Sequence, residues 1–329
     1  MPHDQKYPLI LQALMDRPWA IEPAKLRTIC NIVAARSAGV AATKEDIQAA
    51  LAARHHPQEA PPAVGVAVIP IYGTLSHRPS AFDDMSGGTS YDRIRKSLRK
   101  AMADPAVSAV VFDVDSPGGT TDGLSELYSD IIAMRGVKPM GAVSNALTAS
   151  AALYLSSAVD ELAASPSSLT GSVGCVMVHV DASGWYEDMG VKFTYIHYGE
   201  HKVEGNDTTP LSDDTLAYYQ NMVNVFGQQF EADIAKARGV SKKVVRDTWG
   251  KGRVLMADEA VKVGMVDRVE TLEDLSARLA KMAKAGGRRS SVLVSTDVAA
   301  EAATQDRGRV EASVAIMEME HGVAVSAGE

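Results

Sequence analysis

The sequence is poor in cysteine and aromatic residues and has no long apolar run. Its two cysteines, Cys30 and Cys175, lie far apart and outside any CxxC or Cys/His cluster, which argues against a zinc site and favours a reducing compartment. Aromatic residues make up only 5% of the chain, so the core must consist mainly of Ala, Val, Leu, Ile and Met. No apolar run reaches the roughly 18 residues of a membrane span, and the amino-terminal residues make a poor signal peptide. We therefore expect a cytoplasmic protein.

The chain is also short of positive charge. Its 33 Lys and Arg residues against 41 Asp and Glu residues give a net charge of -8. This balance argues against a general nucleic-acid binder, which needs a basic face for phosphates. The hydrophobic content of 46% and charged content of 22% are typical of a soluble globular protein.

Composition and hydrophobic pattern divide the chain into three regions. Residues 1–62 predict short helices followed by a Pro-rich linker, which we interpret as a docking or regulatory extension. Residues 63–285 alternate strand and helix patterns, which predicts an α/β domain with a parallel sheet and crossover helices. Residues 286–329 are rich in Ala, Ser, Thr and charged residues, which predicts a flexible or weakly helical tail.

The local patterns predict individual elements. The strands are expected at residues 64–75, 106–116, 138–145, 172–180 and 191–199. The helices are expected at residues 9–15, 22–36, 43–54, 90–104, 121–136, 144–161 and 212–239.

A Gly-Gly loop, DVDSPGG, follows a buried strand at residues 113–119. Ligands of α/β sheets gather at the carboxyl ends of strands, and two glycines leave backbone N–H groups open to an anion or an oxyanion. An ordinary βα loop is the alternative. In either case we expect Asp113, Asp115 and Asp122 to cap the loop or face solvent.

Ser150 has a similar position one β-α unit later, in the stretch SNALTASAALYLSS. The start of a helix would favour a nucleophilic serine, but serine is also a common N-cap. A nucleophile needs a base, and no histidine or carboxylate stands close to Ser150 in the sequence. Lys202, in GEHKVEGN, could be that base if burial favours its neutral form, or it could be solvated in its loop.

Four motifs in sequence order resemble the signal-peptide-peptidase A type of serine peptidase: DSPGG, ASAALY, TGSVGCVM and GEHKVEGN. Ser150 and Lys202 are 52 residues apart, which is the spacing of the single-domain members of that family. The resemblance runs from about residue 64 to residue 275. Within the family, the chain is most similar to the prohead (capsid maturation) proteases of lambdoid phages, which also extend beyond the protease domain on both sides.

The resemblance implies a Clp/crotonase-like β-α spiral and a Ser-Lys dyad endopeptidase. Ser150 would be the nucleophile and Lys202 the general base. The backbone N–H groups of Gly119 and Ala151 would form the oxyanion hole, with Gly118 supporting the turn. Ser172 would hold the lysine through its hydroxyl group, although a strand-edge serine is the alternative reading of that position.

The resemblance also implies partners. The substrates would be capsid scaffold and other head proteins, cleaved in the host cytoplasm within assembling proheads. The protein would be a homo-oligomer without cofactor or metal, and without a nucleic-acid or membrane partner. We expect a substrate to bind extended, as a strand added beside residues 114–119, with small or apolar residues before the cut.

Three other functions compete with this interpretation. A crotonase-type acyl-CoA enzyme has similar oxyanion loops but normally works with carboxylates. A catalytically silent assembly factor could keep the peptidase fold only for oligomer formation. A membrane-bound signal-peptide peptidase would need a membrane span, which the sequence lacks.

Overall fold

The structure is a computed structural model, and it describes residues 18–37, 65–78 and 88–286. Contacts group the chain into two units, residues 1–284 and 285–329, and only the first two residues of the second unit are described. Two predicted helices, the Pro-rich linker and nearly all of the predicted tail lie outside the described residues. The proposed domain limits therefore stay predictions.

Strands and helices alternate along most of the described chain. The strands are β1 (Trp19–Ile21), β2 (Val66–Tyr72), β3 (Leu75–Ser76), β4 (Thr89–Ser90), β5 (Ala109–Ser116), β6 (Gly118–Thr120), β7 (Met140–Ala149), β8 (Glu161–Ala164), β9 (Leu169–Gly171), β10 (Val254–Met256) and β11 (Arg268–Val269). The helices are α1 (Pro23–Ser37), α2 (Tyr91–Ala103), α3 (Leu124–Met134), α4 (Ala151–Ser156), α5 (Ser183–Asp188), α6 (Asp213–Arg238), α7 (Lys242–Thr248), α8 (Ala257–Lys262) and α9 (Leu272–Gly286).

A mostly parallel sheet forms the centre of the first unit. Strands β2, β5 and β7 are parallel neighbours, and the far edge of β7 pairs first with β8 and then with β9. Strand β11 lies parallel to β8, while β10 lies antiparallel to β9. Residues 109–114 of β5 are all buried, as expected for a strand of a parallel sheet covered on both faces. The predicted parallel sheet with crossover helices is confirmed.

The packing helices follow the predicted patterns. Ser90 is the N-cap residue of helix α2, and its hydroxyl oxygen accepts a 3.3 Å hydrogen bond from the backbone N–H of Arg93. One face of α2 is buried, with Ile94 and Leu98 in the main core. Among the described helices, none combines the length and the apolar character needed to cross a membrane.

A smaller sheet lies at the carboxyl end of β5. Its strand order is β1-β6-β3-β4, with β6 antiparallel to β1 and parallel to β3. Only Pro117 separates β5 from β6, so the chain passes from the large sheet directly into the small one. The Gly-Gly loop of the sequence analysis is therefore itself a short strand.

Three of the expected elements were wrong in extent or type. The helix expected from residue 144 begins only at Ala151, because β7 continues past β8 by pairing Leu147–Ala149 with β9. The strands expected at 172–180 and 191–199 do not form. In the described residues, the first segment has only an isolated bridge from Val176 to Trp19, and residues 191–199 are exposed without a partner strand.

Candidate active site

Ser150 occupies the sharp turn between β7 and α4. Its backbone has φ 54° and ψ −117°, a conformation that costs a residue with a side chain about 1–3 kcal/mol and that recurs at functional sites. Two backbone hydrogen bonds hold it there: its N–H donates to the Gly171 carbonyl at 2.8 Å, and its carbonyl accepts from Tyr154 N–H at 2.9 Å. Such a strained strand-to-helix turn is typical of a nucleophilic serine.

The side chain of Ser150 does not act as a helix cap. It makes no capping hydrogen bond to α4, although Ser150 stands at the N-cap position. Instead, its hydroxyl donates a 3.3 Å hydrogen bond to the carbonyl oxygen of Gly174, and the residue is 0% exposed. The hydroxyl therefore points out of the helix start, toward the segment that follows β9.

Gly118 brings the backbone of β6 against the start of α4. Its φ is 96°, and its N–H donates to the Ser116 hydroxyl at 3.2 Å, so that this N–H stabilises the turn. A Cβ atom on Gly118 would lie 3.0 Å from the backbone nitrogen of Ala151 and 2.2 Å from the carbonyl oxygen of Ala20. Only glycine permits this approach, and its supporting role at an oxyanion hole stays a prediction.

Gly119 is held equally tightly by β3. A Cβ atom there would lie 1.9 Å from the carbonyl oxygen of Leu75. Both Gly119 and Ala151 are buried, and Ala151 is the first residue of α4, where a backbone N–H has no acceptor within the helix. The structure thus brings Ser150 together with the three residues predicted to form and support an oxyanion hole.

Lys202 does not join this group. It lies in an exposed turn, where its backbone N–H donates to the Gly199 carbonyl at 3.3 Å. Ser172 is buried beside Gly171, at φ 57°, and its N–H donates to the Arg253 carbonyl at 2.7 Å. In the part of the chain that the structure describes, no hydrogen bond connects Lys202 to Ser150 or to Ser172.

Strand β1 is the feature of the site that the sequence analysis missed. Residues Trp19–Ile21 pair with β6, and Trp19 also exchanges two backbone hydrogen bonds, of 2.7 and 2.9 Å, with Val176. The local signal is limited to Trp19 and Ile21, two β-forming residues between Pro18 and Pro23, and it does not indicate where such a strand would pair. The edge where we expected an added substrate strand is thus occupied by the chain itself.

Burial changes the titration of two groups near this end of the sheet. Asp113 is buried, so the expectation that it caps the loop or faces solvent was wrong. The Tyr72 hydroxyl and the Asn145 amide, the latter at 3.0 Å, donate hydrogen bonds that stabilise its carboxylate there. Desolvation raises the pKa of Asp113 above its ordinary value, and the two hydrogen bonds oppose this only in part. Burial also raises the pKa of the Cys175 thiol to about 12, which keeps it protonated near neutral pH.

One group of side chains beside Lys202 has the spacing of metal ligands. The ligand atoms of His201, Glu204 and Asp214 lie within 4.8 Å of one another. His201 and Asp214 are exposed, and His201 is hydrogen-bonded to Glu204, which raises the pKa of the imidazole. A salt-bridged surface cluster accounts for this arrangement, and we assign no metal to it.

Comparison with known proteins agrees with the motifs. Residues 133–286 match the model of peptidase family S49. The capsid assembly protease C of Escherichia phage lambda is 33% identical over 250 residues, which cover 74% of this chain and 56% of that protein. The head-tail preconnector protein GP5 of Enterobacteria phage P21 is 33% identical over 246 residues, 75% of this chain and 48% of that protein. The chain thus spans about half the length of these curated relatives.

More distant similarity extends to cellular peptidases. Protease 4 of Salmonella typhi is 27% identical over 212 residues, 61% of this chain and 32% of that protein. The match to a peptidase family argues against the crotonase-type alternative. From the four ordered motifs, the strained Ser150 and these similarities together, we conclude that the chain carries a peptidase family S49 domain, of the signal-peptide-peptidase A type.

Proposed function

We propose that the chain is a serine endopeptidase that cleaves scaffold and other head proteins during capsid maturation of a phage or prophage. The family match and the printed names of the phage relatives support this function. The observation that carries it is the backbone of Ser150, which is strained at φ 54° and turns the hydroxyl away from the helix that it precedes. A structural N-cap would have no need of such a conformation.

The chemistry assigned to this site is acyl transfer. The Ser150 hydroxyl attacks a peptide carbonyl, and the resulting oxyanion accepts hydrogen bonds from the N–H groups of Gly119 and Ala151. These amides are fixed in place by the packing of β6 against β3 and by the start of α4, so they need little reorganisation as charge develops. Removing one such donor typically costs about 3–4 kcal/mol of transition-state stabilisation.

The base in this proposal is Lys202 from a neighbouring copy of the chain. Ser150 is fully buried, whereas Lys202 of the same chain is exposed and forms no hydrogen bond with it among the described residues. The segment around Lys202 also exposes many large apolar side chains, which favours burial against another protein surface. These side chains are Trp185, Met189, Val191, Phe193, Tyr195, Ile196 and Tyr198.

The same surface supports a homo-oligomer, in which each copy gives its lysine segment to the next. A head-to-tail contact of this kind forms a ring when the rotation between copies closes on itself. We assign the domain a Clp/crotonase-like β-α spiral, with which the parallel sheet and its crossover helices agree. The segment 191–199, which has no partner strand among the described residues, would then find its partner in the adjacent copy.

Serine substitution tests the activity. The parent, Ser150→Ala and the control Ser129→Ala, which changes an exposed serine, are compared on a coumarin amide of a short peptide ending in alanine. We expect the Ser150→Ala variant to lose at least about a thousandfold in kcat/KM, and Ser129→Ala to match the parent. Equal hydrolysis by the parent and the Ser150→Ala variant would refute the proposal, and so would a folded parent that hydrolyses neither the peptide nor scaffold protein.

Mixing tests the origin of the lysine. Ser150→Ala and Lys202→Ala chains, each inactive alone, are unfolded together and refolded. If the base comes from a neighbour, roughly a quarter of the sites combine an intact serine with an intact lysine, and activity returns. A mixture as inactive as its parts shows that both residues act within one chain.

A further inference from the structure

The amino-terminal strand β1 lies between β6 and Val176, where we expected a substrate strand, and we call this space the cleft. The strand pairs antiparallel with β6, with Ala20 opposite Gly119 and Ile21 opposite Gly118. On its other side, the Trp19 N–H donates to the Val176 carbonyl at 2.7 Å, and the Val176 N–H donates to the Trp19 carbonyl at 2.9 Å. The strand is therefore held along both edges, as in recognition of a peptide by strand addition.

Contacts continue on both sides of this short strand. The carbonyl of Pro18 accepts a 3.0 Å hydrogen bond from the Thr121 hydroxyl, and the Glu22 N–H donates to the Pro117 carbonyl at 2.7 Å. The cleft thus grips five consecutive residues, 18–22, and three of them lie before the peptide bond between Ala20 and Ile21. Docking of this extent fixes the register of the strand.

The register places the Ala20 carbonyl at the oxyanion hole. Facing pairs in an antiparallel ladder alternate between hydrogen-bonded and non-hydrogen-bonded kinds. Since Glu22 bonds to Pro117, the pair two residues along, Ala20 and Gly119, is of the hydrogen-bonded kind, and the Gly119 N–H faces the Ala20 oxygen. The Ala20 oxygen and the Ala151 nitrogen both border the space that a Cβ atom on Gly118 would fill, at 2.2 and 3.0 Å from it.

The side chains of β1 point alternately to its two faces, as in any strand. Trp19 and Ile21 pack outward in a small apolar cluster with Leu26 and Ile29 of α1. Ala20 points the other way, is 0% exposed and belongs to the main core. The pocket before the candidate scissile bond is thus filled by one methyl group, in agreement with the small residue expected from the Ala-rich start of α4.

We propose that this chain is its own substrate and cleaves the peptide bond between Ala20 and Ile21. The inference rests on the proposed peptidase function. Ser150 Oγ adds to the Ala20 carbonyl carbon while the lysine takes the hydroxyl proton. The bond to Ile21 breaks, the Ile21 nitrogen receives that proton, and residues 1–20 stay on Ser150 as an ester. One water hydrolyses the ester, which frees Ala20 as a carboxylate and restores the serine hydroxyl.

Cleavage opens the site. Before the cut, β1 occupies the edge of β6 that any other substrate needs. After the cut, an ammonium group on Ile21 and a carboxylate on Ala20 replace a neutral peptide in fully buried surroundings. Burial of such unpaired charges is strongly unfavourable, so the new ends leave the cleft. Self-cleavage thus converts a closed peptidase into an open one.

The test follows the amino terminus of the full chain. Parent and Ser150→Ala chains are purified and analysed by intact mass and amino-terminal sequencing. We expect the parent to begin at Ile21 and the Ser150→Ala chain to keep residues 1–20. A cut elsewhere in the amino-terminal region, or one that also occurs in the Ser150→Ala chain, overturns the proposal.

A matched pair of substitutions separates this proposal from the general activity. Ala20→Phe puts a large side chain into the filled pocket, while Ala24→Phe makes the same change at an exposed position of α1. We expect Ala20→Phe to slow self-cleavage roughly a hundredfold and Ala24→Phe to leave it unchanged. Ala20→Ser, which keeps a small side chain, should be cut as the parent is.

All these chains are also assayed on a coumarin amide of Pro-Trp-Ala, the sequence of residues 18–20. If the parent hydrolyses this peptide through Ser150 but keeps its own residues 1–20, self-cleavage is refuted and the peptidase function stands. If no chain hydrolyses the peptide and the amino terminus also stays intact, the peptidase function itself fails. Parent and Ala24→Phe chains that lose residues 1–20 and hydrolyse the peptide, beside an Ala20→Phe chain that keeps residues 1–20 and hydrolyses it slowly, support both.

Discussion

Ala20 of the amino-terminal strand lies directly opposite Gly119 of the Gly-Gly loop. The two residues are 99 positions apart in the sequence. Their pairing nevertheless brings the expected scissile carbonyl to an expected oxyanion donor. Strand β1 therefore lies against two of the residues that we propose for the site.

Gly118 is expected to be essential for catalysis for two reasons: neighbouring backbone atoms leave no room for a side chain, and its φ is positive. Gly118→Ala would force a Cβ atom to 2.2 Å from the Ala20 oxygen and strain a residue at φ 96°. We expect a loss of about a hundredfold or more in peptide hydrolysis, and a loss of about 1–3 kcal/mol in unfolding free energy. Gly136→Ala is the control, since Gly136 also has positive φ, 77°, but no atom within 4 Å of the added Cβ. Equal loss of activity in both variants would contradict this account.

Ile196 is expected to be buried by a neighbouring copy. It is 98% exposed in the single chain, so Ile196→Asp should leave the melting temperature of an isolated chain unchanged. We expect the substitution to lower the mass measured by light scattering and to reduce peptide hydrolysis at the same time. The control, Val137→Asp, changes an isolated exposed apolar residue elsewhere in the chain. An unchanged mass for the Ile196→Asp chain would exclude this segment from the interface.

Leu26 is expected to hold β1 in the cleft. It is buried against Trp19 and Ile21, so Leu26→Asp places a charge in their apolar cluster, whereas Arg27→Asp changes an exposed position. Both are made in the uncleavable Ser150→Ala chain, and alkylation of Cys175 is followed by peptide mapping. Burial raises the pKa of this thiol to about 12, so we expect slow alkylation until β1 leaves. Leu26→Asp should speed it at least about tenfold; equal rates in the two variants would contradict the role of the cluster.

Asp113 is expected to make stability depend on pH. Because desolvation raises its pKa in the folded state, its contribution to stability is fully present below the unfolded pKa and is lost as the pH rises through the folded pKa. Relative to Asp113→Asn, the parent should therefore lose unfolding free energy as the pH rises above about 4, the ordinary pKa of an aspartate. Urea unfolding at several pH values measures this difference. Asp188→Asn, which changes an exposed carboxylate, is the control.

Much of the α/β architecture could be predicted because it is written in local patterns. The buried strand β5 is a continuous apolar run, and α2 and α6 show helical periodicity with Ser90 and Ser212 as N-caps. The extra length of β7 could not be predicted, because it depends on pairing with β9. That strand begins only at Leu169, 20 positions after Ala149, the last residue of β7. The segment 191–199 has a strand-like composition, but a strand needs a partner, and composition does not provide one.

The sequence by itself determined which candidate groups the chain carries. They are a serine among small residues, a Gly-Gly loop at the end of a buried strand, and a lysine 52 positions after the serine. These are properties of residue type and order, which act over short distances along the chain. Only the tertiary structure decided that Ser150 is strained and uncapped, that Lys202 of the same chain stays outside, and that β1 fills the cleft. Those outcomes depend on backbone hydrogen bonds between segments that are distant in sequence. Nearly every residue type has the same backbone N–H and C=O groups, so such bonds leave no local pattern in the sequence.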